Sequence, residues 1–84
     1  MPLKKEEIKN IVGQKIRQIR LMKNLSIEKV ANEAGIEYTQ LSRIELGKIN
    51  TSIYHAYIIS ESLEVELPEL FLEIYKSDRN NQKQ

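Results

Sequence analysis

Between Ser26 and Gly47 two apolar stripes of helical spacing stand almost back to back, separated at a single glycine, Gly35. Ile27, Val30, Ala31 and Ala34 make the first stripe, and Ile36, Leu41 and Ile44 make the second. Isolated helices shorter than about 12–15 residues are marginal in water, so neither stripe can hold as a helix by itself. Each has to be stabilised by the other and by the rest of the chain. That requires a tight corner, a small residue at the crossing and an apolar plug. Gly35 can adopt the positive φ that ends the first helix. Ala31 is small enough for the crossing, and Ile36 fills the corner.

The flanking sequence is helical as well. Ile8, Ile11, Val12, Ile16 and Ile19 recur at the steps of one helix face, which predicts a first helix from about Lys5 to Met22, with Asn24 as its stop. Ser26 is an N-cap for the second helix, although Lys29 rather than an acid follows three residues later, so the capping box is incomplete. Gly47 closes the third helix. Asn50, Thr51 and Ser52 are all competent N-caps for a fourth, with Ile53, Ala56, Ile59 and Leu63 expected inward. Pro68 fits the first turn of a fifth helix carrying Leu70, Phe71 and Ile74. No segment alternates with period two. The expected fold is all-α, with five helices in one domain over residues 1–76 and a flexible polar tail over 77–84.

A short helix, a glycine turn and a second short helix form the helix-turn-helix arrangement. The outer face of its second helix is polar, with Tyr38, Thr39, Gln40, Ser42 and Arg43. A row of hydrogen-bonding side chains on a convex helix is what a DNA major groove accepts, though any surface helix is polar on one side. Charge adds a modest bias. The chain carries a net charge of only +1. Residues 1–50 hold ten Lys/Arg against six Asp/Glu, however, while residues 51–84 hold three against six. The first half can therefore face an anion while the second faces water or protein.

Other classes of function have little support. With no cysteine and one histidine, His55, the chain has no disulfide and almost no means of holding zinc. A catalytic role for a lone His55 among Tyr54, Ala56 and Tyr57 is weakly founded, and no glycine-rich phosphate loop or paired carboxylates appear. The expectation is a protein that is not an enzyme, uses no cofactor or metal and takes no small-molecule ligand. The apolar runs fall far short of the roughly 20 residues needed to cross a membrane, and the N-terminus has no signal-peptide core, so a cytoplasmic location is expected.

The stretch from Gly13 to Phe71, 59 of 84 residues, resembles the lambda-repressor-like (Cro/CI, XRE-type) DNA-binding domains. The markers are "GQKIRQIR", "LSIEKVANEAGI" over the turn, "LSRIELGK" ending the third helix and the closing "LEVELPELF". The resemblance implies a transcriptional regulator that places its third helix in the major groove of double-stranded DNA. It puts Tyr38, Thr39 and Arg43 at base-reading positions. Arginine can donate two hydrogen bonds to guanine, and the threonine methyl or hydroxyl can meet a base edge. Ser26, Gln40, Ser42, Lys48, Asn50 and Thr51 are expected at phosphates, aided by helix N-termini. Arg20 and Glu45 match a family pair that forms a partly buried salt bridge between the first and third helices.

Four positions depart from the family pattern. Ile27 stands where a phosphate-clamping Gln is usual, Glu37 where Ser or Thr caps the recognition helix, Leu46 for a frequent Arg or Asn, and Thr51 for a frequent Pro. These imply weaker or more dimer-dependent binding on an intact fold. Ile58, Leu72, Ile74 and Tyr75 give the C-terminal third more apolar surface than a monomer needs, which predicts a homodimer through the fourth and fifth helices on a palindromic operator. The alternative is an antitoxin or another regulator whose main partner is a protein. A methyltransferase and an endonuclease encoded alongside would mark a restriction–modification controller, and a toxin-like neighbour an antitoxin.

Overall fold

The computed structural model describes residues 2–82, with side chains from 2 to 76. It contains five helices: α1 Lys5–Met22, α2 Ile27–Ala34, α3 Tyr38–Glu45, α4 Ile53–Leu63 and α5 Leu67–Gln82. The α5 backbone thus continues into the stretch expected as a polar tail, whose side chains, together with residues 83 and 84, lie outside the described residues.

Each helix end has an identifiable cause. Ser26 Oγ accepts the Lys29 N–H at 3.0 Å and starts α2. Gly35 at φ 77° ends it, and the Gly35 and Ile36 N–H groups both donate to the Ala31 carbonyl, at 2.9 and 3.0 Å. Among the three cap candidates before α4, Ser52 serves: its Oγ accepts the His55 N–H at 3.0 Å. Asn24 leaves α1 at φ 58°, in the left-handed region that Asn tolerates best among non-glycine residues.

One apolar core joins all five helices. Val12, Ile16 and Ile19 of α1, Val30 and Ala31 of α2, Leu41 and Ile44 of α3, Ala56, Ile59 and Leu63 of α4, and Leu70 of α5 are buried together. Ile53, expected inward, is instead 80% exposed. It is the first residue of α4, one turn ahead of Ala56, so it projects past the end of the core. Ile49, in the preceding loop, packs against the core. Ile74, expected on an outer face, packs against the same core and lines a small cavity of about 90 Å³ with Ile8, Val12, Ile44 and Phe71.

The α1–α3 contact depends on Gly13. A Cβ there would collide with the Ile44 carbonyl oxygen and lie 2.9 Å from that of Glu45. Both obstacles are backbone, so the helices would have to separate. Gly13→Ala is expected to destabilise the domain by about 1–3 kcal/mol or more, despite alanine's better helix propensity. Chemical denaturation checks this, and a neutral or stabilising result would contradict the close approach.

Candidate nucleic-acid interface

The placement of α3 begins with a buried ion pair. Arg20 Nε donates to Glu45 Oε2 at 2.7 Å and Nη2 donates to Oε1 at 3.0 Å, a two-pronged geometry that matches the guanidinium to the carboxylate. Arg20 Nη1 donates to the Leu25 carbonyl at 2.8 Å. One side chain therefore ties α1, the loop before α2 and the end of α3 together. The hydrogen bonds from Arg20 to Glu45 raise the guanidinium pKa above its ordinary value, with the Glu45 charge adding to the effect against the cost of burial. The pair expected from the sequence is present, and both residues are buried.

With Leu41, Ile44 and Glu45 turned inward, α3 has its other side free. Tyr38, Thr39 and Arg43 are exposed along it, and Ser42 is half-buried at its edge. Glu37 is the N-cap and its side chain makes no capping hydrogen bond, as its type suggests. The α3 amides are thus left without the usual hydroxyl partner. Lys48 and Asn50 are exposed in the loop after α3, and Thr51 is half-buried with its hydroxyl donating to the Ser52 carbonyl at 3.3 Å. Ser26 uses its oxygen as a helix cap and keeps a hydroxyl proton to donate.

Gln40 behaves differently from its neighbours. It is half-buried, and its Nε2 lies 3.1 Å from Nδ1 of His55 in the first turn of α4. The sequence puts Gln40 at a phosphate or as a brace for the helix, and leaves His55 a surface or half-buried side chain. No spacing rule links residues on separate helices, so the pair was invisible before folding.

Ion pairing sorts the basic residues. Lys9 pairs with Glu6, Lys15 and Lys76 with Glu73, and Lys29 with Glu33. Among the described residues, Lys4, Lys5, Arg17, Lys23, Arg43 and Lys48 have no acidic partner within 4.0 Å. Sequence pattern alone does not mark Arg17 as a site residue. It lines a cleft beside α3 with Ile27, Ser42 and Leu46, on the side of α1 that also carries Arg20. Its spacing of three from Arg20 was the available signal.

Of the four residues expected at a dimer interface, Leu72 and Tyr75 are exposed and Ile58 and Ile74 are half-buried. Ile53, Tyr54 and Tyr57 are also exposed, on the first half of α4.

Five helices with α2 and α3 in a tight corner, a polar outer face on α3 and unpaired cations beside it define a helix-turn-helix domain. The helix-turn-helix family HTH_3 matches residues 16–70, and the chain belongs to that family. It is 44% identical over 64 residues to the control protein C.BamHI of Bacillus amyloliquefaciens, covering 75% of this chain and 79% of that protein. It is 38% identical over 71 residues to the control protein C.MunI of a Mycoplasma species, covering 83% and 96%. Its fold is similar to the crystal structure of the restriction-modification controller protein C.AhdI from Aeromonas hydrophila, with a TM-score of 0.73 at 30% identity over 75% of this chain and 96% of that one. It is also similar to a tyrosine-to-phenylalanine mutant of the restriction-modification controller protein C.Esp1396I, with a TM-score of 0.76 at 27% identity over 92% and 94%.

Proposed function

We propose that the chain is a sequence-specific double-stranded DNA-binding transcriptional regulator that acts as a two-fold homodimer on a palindromic operator, with α3 in the major groove. The observation that carries this reading is the division of α3. Its inner residues are locked by the core and the Arg20–Glu45 pair, while Tyr38, Thr39 and Arg43 stand exposed and Arg43 has no acidic partner. Tyr38, Thr39 and Arg43 read bases; Ser26, Ser42, Lys48, Asn50 and Thr51 hold phosphates, and Arg17 joins them. The likeness to control proteins supports a role in controlling a restriction–modification system. A cytoplasmic site of action fits that role. No helix among the described residues is long and apolar enough to cross a membrane.

The test is selection from a random duplex library, followed by binding at several salt concentrations. An enriched palindrome, with affinity falling steeply as salt rises, is the expected result. A library that returns no preferred sequence would refute the reading. Two variants then separate the roles. Arg43→Ala should cost about 1–3 kcal/mol at one base pair of each half-site and relax preference there. Lys48→Ala should weaken all sequences about equally. Identical behaviour of the two would contradict the division.

A further inference from the structure

The outer face of α3 has a different shoulder on each side. Ser42 opens onto the cleft that Arg17 lines with Ile27 and Leu46. Gln40 lies about 200° around the helix from Ser42 and one turn before Arg43. It meets the first turn of α4: its Nε2 lies 3.1 and 3.5 Å from the two ring nitrogens of His55, so the amide rests on the imidazole. The neighbouring Tyr54 is 67% exposed, and its ring is tilted against that of His55 with centroids 6.1 Å apart. Its hydroxyl makes no hydrogen bond among the described residues. We propose that Tyr54 is a further DNA contact, whose hydroxyl donates to a backbone phosphate of the strand that flanks α3 on its α4 side. This rests on the placement of α3 in the major groove proposed above.

The argument for the flank is one of size. A helix with its side chains is about 10–12 Å across, and the major groove is about 12 Å wide. A helix seated there has a sugar–phosphate backbone close against each flank. The cleft with Arg17 faces one backbone. The turn of α4 that touches Gln40 faces the other, and Tyr54 is its exposed donor.

Charge agrees with that placement. From Lys48 to Ser60 the chain has one lysine and no acid, so the loop before α4 and most of that helix carry no charge that repels a phosphate. Tyrosine hydroxyls are among the side chains that position proteins on phosphates. The contact differs in kind from that of Lys48. A hydroxyl is neutral and displaces no counterion, so it strengthens binding without adding to the salt dependence.

The experiment uses the full chain and the palindrome selected by the wild type. Tyr54→Phe removes one oxygen and should weaken binding by about threefold to tenfold, the net worth of one hydrogen bond, at every sequence alike. The slope of log affinity against log salt should stay as in wild type, whereas Lys48→Ala should make it shallower. Replacing backbone phosphates one at a time by neutral methylphosphonates locates the contact. Wild type should lose affinity at one phosphate per half-site where Tyr54→Phe loses markedly less, and the two proteins should respond alike at the others. Analytical ultracentrifugation should give both the same dimer affinity. Tyr54→Phe keeps the ring beside His55, and circular dichroism verifies its fold. The inference falls if Tyr54→Phe binds as tightly as wild type, or if no single phosphate distinguishes the two. It also falls if Tyr54→Phe weakens the dimer and its binding deficit vanishes at concentrations that restore dimerisation, since Tyr54 would then lie between the two copies. A wild type that selects no sequence would instead overturn the DNA reading itself, and this contact with it.

Discussion

Arg20→Ala is expected to destabilise the folded domain by about 3–5 kcal/mol, because it leaves the Glu45 carboxylate buried and uncompensated. Domains have about 5–15 kcal/mol of stability in total, and one of 84 residues is expected near the lower end. The substitution therefore removes most of the margin. The Leu25 carbonyl also loses its donor, so the entry to α2 loosens together with the end of α3. Replacing both partners with apolar residues, Arg20→Met with Glu45→Leu, should be much milder, since no charge is then left unpaired. Urea unfolding of the two single variants and the double variant measures the coupling. If the single changes are as mild as the double, the pair is not the clamp that its geometry indicates.

The second expected effect is on assembly. Tyr57→Glu combined with Leu72→Glu should yield a folded monomer whose operator affinity is lower by about a hundredfold or more. On the proposed reading one domain presents three or four base-reaching side chains, too few for the Kd of about 10⁻⁸–10⁻¹¹ M usual for specific sites. Both residues are about half exposed, so the substitutions spare the core, and exposed changes usually alter stability by less than about 0.5 kcal/mol. Within the proposed interface each new carboxylate would lose its water without gaining a cationic partner, which opposes association. Ile74 is unsuitable for this purpose, because it packs on the core and a charge there would perturb folding as well. Analytical ultracentrifugation at micromolar concentration, paired with operator titration, gives the outcome. A wild type that is already monomeric, or a double variant that binds the operator as well as wild type, would refute the dimer.

The helices could be read from the sequence because their causes are local. The α1 stripe, the Ser26 cap and the Gly35 turn each lie within a few residues of what they determine. The Arg20–Glu45 pair spans 25 positions and was legible only through family resemblance. What escaped reading depends on the third dimension. Nothing near Gly13 in sequence shows that the Ile44 carbonyl will press on it. Helical spacing alone put Ile53 inward with Ala56, but spacing does not reveal where a core stops along a helix axis. Glu64 ends α4 at φ 60° with no glycine to announce it. Arg17 and the Gln40–His55 contact belong to surfaces built from separate helices, so they appear only once the packing is known.

The division of α3 also bears on how such a regulator can change its target. Leu41, Ile44 and Glu45 hold the helix in place, whereas Tyr38, Thr39, Ser42 and Arg43 contribute little to that task. The two sets share no position. Substitutions in the outer set therefore leave the folding free energy almost untouched while altering the hydrogen-bonding pattern offered to a duplex. On the proposed reading, α3 works as an exchangeable cassette. A lineage can acquire a new operator by replacing a few outward side chains, without first passing through an unstable intermediate.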